Sequence, residues 1–240
     1  MPDIDLGDLT EPGASTRLRG YLATPDDDGP WPGVVLIHEA FGVDDAMRAH
    51  ADRLASLGYA TLAVDLYSDG GPVRCLISTF RALLAGHGRP FADIAVARRF
   101  LLERTASTGK VGVIGFCMGG RFALLEAGGG AYDAASVNYG LLPPHLDDVL
   151  ATSCPLVASY GGKDRGLRGG AAKVEAALDA AGVPHDVKEY PNAGHSFLNE
   201  HPNGPWPVRQ VLRVTGTGPE PQSAAHAWDR IAAFFATHLR

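Results

Sequence analysis

An α/β fold built on a mostly parallel sheet, with helices on both faces, is what this 240-residue sequence predicts. Three observations predict it. Short β-branched apolar runs alternate with amphipathic stretches, the pattern of strands joined by crossover helices. Runs such as Val34-Val35-Leu36-Ile37 and Val111-Gly112-Val113-Ile114 stay apolar without alternating, which marks strands covered on both sides. With 45% hydrophobic and 20% charged residues, the chain can bury a full-sized core, and nothing reads as a linker or a repeat, so one domain over 1–240 is expected.

The elements follow in order. Leu18–Ala23 reads as an edge strand and Gly33–His38 as a buried one. Met47, Ala51 and Leu54 share one face of a helix that Gly58 is placed to end. Ala60–Val64 is the next strand. Pro90 opens a helix with Phe91, Ile94, Ala97 and Leu101 on its inner face, and a strand from Val111 then leads to Cys117. Beyond the helix behind Cys117, strands are expected at Ala134–Tyr139, Pro155–Tyr160 and Asp186–Tyr190, with a helix around Ala171–Ala181. Ser223 is placed to cap a final helix that turns Ala227, Trp228, Ile231, Phe234 and Phe235 inward. Tyr67–Gly88 and Glu200–Gln222 fit no element and read as long loops near the strand ends.

Composition narrows the function. A net charge of −6 with no Lys/Arg run argues against a nucleic-acid partner, since successive phosphates would go unneutralised. Cys75, Cys117 and Cys154 are odd in number and widely spaced, which fits neither a disulfide framework nor a zinc knuckle. The N-terminus lacks the basic and apolar regions of a signal peptide, and no apolar run reaches membrane-spanning length. A soluble protein of the reducing cytoplasm, with a small-molecule substrate and no membrane partner, is expected. Self-association is not specified.

Chemistry concentrates at Gly115-Phe116-Cys117-Met118-Gly119, where an apolar strand runs straight into a helix. A turn that tight exposes its central side chain and strains its backbone, and flanking glycines leave it room. It reads as a nucleophile elbow carrying sulfur. A nucleophilic cysteine needs a base, and the base an orienting carboxylate. Asp164 follows one strand in Gly161-Gly162-Lys163-Asp164, and His195 follows the next in Gly194-His195-Ser196-Phe197, giving the order nucleophile, acid, histidine. The amides of Met118, behind the cysteine, and Ala40, in the loop His38-Glu39-Ala40-Phe41-Gly42, are the candidate oxyanion donors. Glu39 beside such a hole is out of place unless it moves, is protonated, or serves as another proton acceptor for the thiol. The other histidines need no special role.

Cofactor motifs are broken. His38-Glu39 has Gly42 where a zincin needs its second histidine, Gly162-Lys163 is followed by Asp164 rather than Ser or Thr, and Cys117 interrupts a Gly-x-Gly fingerprint, so no metal or nucleotide cofactor is expected. A redox sensor or ligand-binding protein using the same exposed thiol is the alternative to an enzyme.

His38-Glu39-Ala40-Phe41-Gly42, Asp65-Leu66-Tyr67, Gly115-Phe116-Cys117-Met118-Gly119-Gly120, Tyr139-Gly140, Gly162-Lys163-Asp164 and Gly194-His195-Ser196-Phe197, in this order, resemble the dienelactone hydrolase family. The resemblance spans nearly the whole chain. It implies an α/β-hydrolase fold, a Cys117–His195–Asp164 triad attacking an ester or lactone, and a resting state in which Glu39 holds the Cys117 proton until substrate displaces it. It also implies substrate contacts at Phe41, Tyr139, the position of Asn199, and an arginine after Asp65-Leu66-Tyr67, for which Arg74 and Arg81 are the candidates. In well-studied members of the family an arginine lies four residues after the catalytic histidine, the position that Asn199 holds here. An amide cannot form the bidentate pair of a guanidinium with a carboxylate, which points toward an ester or lactone other than dienelactone.

Overall fold

A computed structural model describes residues 3–9, 11–202 and 217–240. Eight strands form one sheet: β1 (Asp3–Asp5), β2 (Arg19–Ala23), β3 (Trp31–Ile37), β4 (Ala60–Val64), β5 (Ser107–Phe116), β6 (Ala134–Asn138), β7 (Leu156–Gly161) and β8 (His185–Tyr190). Their spatial order is β1-β2-β4-β3-β5-β6-β7-β8. From β4 to β8 every neighbouring pair is parallel, while β1 and β2 run antiparallel at one side. Parallel pairing needs crossovers, and the helices supply them. They are α1 (Asp45–Ser56), α2 (Gly71–Ala85), α3 (Arg89–Glu103), α4 (Met118–Gly128), α5 (Leu146–Leu150), α6 (Gly170–Ala181) and α7 (Pro221–Leu239).

The strands at the centre of the sheet are the most completely buried. Every residue of β4, β6 and β7 is buried, as are Val34, Val35, Leu36 and Ile37 of β3. Gly33 faces Leu101 of α3 and Gly115 faces α4, whereas Gly112, on the opposite side of β5, faces Leu239 of α7. Helices therefore cover both faces. The rings of Phe91 and Phe122 tie α3 to α4, with centroids 5.0 Å apart, and those of His50 and Trp228 tie α1 to α7 at 5.1 Å. Arg230 fastens α7 to the sheet, donating to Asp186 Oδ2 at 2.8 Å, Asp186 O at 2.6 Å and Ser159 Oγ at 3.2 Å.

Three details differ from the sequence reading. β2 is not the edge, because Asp3-Ile4-Asp5 pairs outside it, and a three-residue strand has too little periodicity to be seen beforehand. Most of the Tyr67–Gly88 stretch is helix α2, whose pattern is obscured by Val73, Ile77 and Leu84 standing exposed. The last helix is capped by Glu220, whose carboxylate accepts from the Ser223 amide at 2.8 Å, with Pro221 opening the first turn. Ser223 is thus the donor rather than the cap. Most of the predicted loop Glu200–Gln222 lies outside the described residues.

Asp93 is the polar anchor of the α3 side. Fully buried, it accepts from the Ser15 amide at 2.6 Å and the Ser15 hydroxyl at 2.8 Å, and Arg89 lies 3.9 Å away. Asp93→Ala leaves the buried Ser15 amide and hydroxyl without their acceptor. Urea titration is expected to show a loss of about 2–4 kcal/mol, against under about 0.5 kcal/mol for an exposed control such as Glu175→Ala.

Candidate active site

Five of the strands' carboxyl ends, those of β3, β5, β6, β7 and β8, carry the candidate residues, and at three of them the backbone is strained. Among the described residues, the non-glycine positions with positive φ are Cys117 (53°), Tyr139 (42°) and Ser196 (57°). They sit at the ends of β5 and β6 and in the loop after β8. Strain of this kind persists only where surrounding contacts fix it, and it gathers where side chains must be held in unusual directions.

Cys117 occupies the turn between β5 and α4. Its amide donates to the Asn138 carbonyl at 3.0 Å, and its carbonyl accepts from the Gly120 amide at 3.0 Å. The first turn of α4 passes so close to the sheet that a Cβ on Gly115 would lie 1.9 Å from the Gly119 carbonyl oxygen. The thiol is therefore presented by a helix beginning directly behind it, at Met118, where unpaired N–H groups favour negative charge.

Asp164 and His195 come from adjacent strand ends that are pinned together. The Gly162 amide donates to the Tyr190 carbonyl at 2.8 Å and the Lys163 amide to the Ala193 carbonyl at 2.9 Å. Across this junction His195 Nδ1 lies 2.5 Å from Asp164 Oδ2. Cys117 lies in the electrostatic neighbourhood of the same ring. Burial by itself would drive the proton off the imidazolium, but the bond to Asp164 and the neighbouring Cys117 outweigh it, and the His195 pKa is raised to about 10. A cysteine, a basic imidazole and a half-buried carboxylate in this line can pass a proton from sulfur to nitrogen.

The loop after β3 completes the group. Buried His38 lies with Nδ1 2.6 Å from the Glu39 carbonyl and accepts from the Leu66 amide on Nε2 at 3.2 Å. The Tyr67 hydroxyl sits 3.1 Å from the Ala40 carbonyl oxygen and 3.7 Å from the Met118 sulfur, bringing the residues of both candidate oxyanion donors around one phenol. Glu39 is 2% exposed, accepts from Asn199 Nδ2 at 3.3 Å, and faces the Tyr139 hydroxyl. Tyr139 is fully buried with its ring 5.1 Å from that of His195, and its pKa is raised, first by burial and then by the nearby Glu39 and Cys117.

The remaining candidates fall elsewhere. Phe41 lines a cavity of about 300 Å³ with Tyr67, Tyr21, Arg19 and Arg48. Arg74 and Arg81 are both exposed on α2. Asn199 is buried, bonded to Glu39 on one side and to His50 on the other. Sequence reasoning passed over Tyr67 as a contact and gave His50 no role. The helical spacing that places Met47, Ala51 and Leu54 inward also places His50 inward, which was the available signal. No cluster of metal-binding side chains occurs among the described residues, and no helix there is long and apolar enough to cross a membrane.

Comparison with known proteins places this geometry among relatives. The sequence pattern of the dienelactone hydrolase family matches residues 18–239. A carboxymethylenebutenolidase from Pseudomonas putida is 30% identical over 199 residues, covering 77% of this chain and 83% of its own. The crystal structure of a dienelactone hydrolase-like promiscuous phosphotriesterase from metagenomic libraries superposes with a TM-score of 0.80 at 25% identity, covering 100% of this chain and 98% of that one. A dienelactone hydrolase structure from Anabaena variabilis shares the fold, with a TM-score of 0.65 at 21% identity over 93% of both chains.

Proposed function

The chain belongs to the dienelactone hydrolase family and is a hydrolase, and from that membership and the geometry around Cys117 we propose that it cleaves small carboxylic esters or lactones through a thioacyl-enzyme. The observation that carries this reading is the line Cys117–His195–Asp164, with its 2.5 Å closing contact and the cysteine at the strained elbow.

In the first half-reaction the Cys117 sulfur forms a bond to the substrate carbonyl carbon while the thiol proton passes to His195. The carbonyl oxygen becomes an oxyanion, which the Met118 and Ala40 amides stabilise. Collapse breaks the bond to the alcohol oxygen, and that alkoxide takes the proton from His195. Water then attacks the thioester as His195 accepts its proton, and the acid leaves as Cys117 is regenerated. Before substrate arrives, Glu39 accepts a hydrogen bond from the protonated Cys117 thiol and keeps it quiet; substrate binding breaks that contact and frees the proton for His195. The burial of Glu39 beside Tyr139, whose pKa burial, Glu39 and Cys117 all raise, supports that role. An uncharged Asn199, already occupied by Glu39 and His50, supports a neutral acyl group over one bearing a carboxylate.

Rapid acid quench of the protein mixed with excess 4-nitrophenyl acetate, followed by peptide mass spectrometry, is expected to find an acetyl group on the Cys117 peptide. Turnover with acetyl only on another peptide would remove Cys117 from the mechanism.

A further inference from the structure

A buried hydrogen-bonded line runs from Glu39 away from Cys117, and charge sets its direction. Asn199 Nδ2 lies 3.3 Å from Glu39 Oε2. A carboxylate accepts from the NH₂ end of an amide, so the amide oxygen must point the other way, and there it meets His50 Nε2 at 2.9 Å. An amide oxygen only accepts; His50 therefore carries its proton on Nε2. Burial favours the neutral ring, taking the His50 pKa down to about 4, so one N–H and no net charge face Asn199. The ring is held flat against Phe116, the residue before Cys117, at 4.5 Å and 24°, and Trp228 closes on it at 5.1 Å. His50 and Asn199 are each 2% exposed.

We infer that His50 and Asn199 are positioning residues that set the orientation of the Glu39 carboxylate against Cys117, an inference that rests on the thiol-holding role proposed for Glu39. An unanchored amide flips readily, and a flipped Asn199 presents oxygen to oxygen at Glu39. The His50 N–H excludes that state by giving the amide oxygen its own donor. A neutral donor also orients a carboxylate without cancelling its charge, which an acceptor for the thiol requires. The line thus links α1, the loop after β8 and the end of β3 at one carboxylate, while Phe116 ties it to the strand that presents the thiol.

A double-mutant cycle tests this. His50→Phe keeps a ring between Phe116 and Trp228 and removes only the donor. With 4-nitrophenyl acetate it is expected to lower kcat about 10-fold with KM changed less than about 2-fold, and to move the rate of Cys117 alkylation by iodoacetamide in the same direction as Glu39→Gln does. In the Glu39→Gln background the same substitution is expected to add less than about 2-fold. Should His50→Phe fail to fold, as thermal melting would reveal, Asn199→Leu carries the same cycle. An equal cost in both backgrounds overturns the inference and leaves the Glu39 role standing. If Glu39→Gln alone changes neither turnover nor alkylation, the Glu39 role falls, and the inference with it.

Discussion

Cys117→Ala and His195→Ala are each expected to lower kcat/KM for 4-nitrophenyl acetate by about 10,000-fold or more, and the double variant by scarcely more than either one. The reasoning is that the two side chains act on one proton. Without sulfur there is no group to acylate, and His195 has no thiol proton to accept. Without the imidazole, the thiol proton has no acceptor on the Asp164 side and the departing alkoxide has no donor. Losses that multiplied in the double variant would mean that the residues act separately, contrary to the proposed line. A fully active Cys117→Ala would rule out covalent catalysis at this elbow. Cys117 is only partly buried, so a thermal midpoint close to that of the parent is part of the expectation for Cys117→Ala.

Asp164→Asn probes the far end of that line. The native His195 pKa, about 10, stands above the ordinary value of about 6.5. Its ion-pair contribution to stability is therefore complete below about pH 6.5 and is lost as pH rises through about 10. Replacing the carboxylate with an amide removes the leading cause that raises the pKa. NMR titration of the His195 ring is expected to move its midpoint downward, and turnover falls about 100-fold or more as the ring loses its fixed tautomer. An unmoved midpoint would mean that Asp164 does not hold the imidazole.

How far sequence alone reaches is decided by whether a residue's surroundings are local. β3 and the inner half of β5 were legible because strands buried on both faces read as near-continuous apolar runs, and in β6 and β7 the buried Ser136, Asn138 and Ser159 interrupt the run without hiding it. β1 and α2 were not, since one is three residues long and the other turns Val73, Ile77 and Leu84 outward. Cys117 announced itself through its own neighbours, Gly115 and Gly119, which permit the close approach of α4. Asn199 did not. The resemblance put it among the substrate contacts, whereas the fold sets it between Glu39, 160 positions earlier, and His50, 149 positions earlier. A pairing across such separations leaves no trace in either local pattern. His50 illustrates the same limit: its inward helical position was readable, but a buried histidine reads as ordinary core until its partner is known.

The second large effect is expected at Gly119, where folding and chemistry depend on the same close contact. A Cβ there would lie 2.1 Å from the Ile37 carbonyl oxygen and 2.7 Å from that of His38. Both obstacles are backbone of β3 and the loop after it, so no side chain can swing aside. Gly119→Ala must either lift the first turn of α4 or push β3 away from β5. Lifting the turn carries Cys117 and the Met118 amide with it, while moving the strand end carries Glu39 and Ala40. Overpacked buried sites commonly lose about 1–3 kcal/mol, and an unyielding backbone contact places this one at or above the top of that range. Urea unfolding is expected to show that loss, and any folded fraction is expected to have kcat lowered about 100-fold, since misplacement by about 1 Å is enough. Gly129→Ala is the control. That glycine has right-handed helical backbone at the end of α4, with φ of −80°, and an added Cβ meets only the Glu126 carbonyl oxygen at 3.3 Å. Its substitution is expected to change stability by less than about 1 kcal/mol and turnover not at all. A Gly119→Ala protein as stable and active as the parent would mean that α4 does not approach β3 so closely, and that Cys117 owes its placement to something other than this elbow.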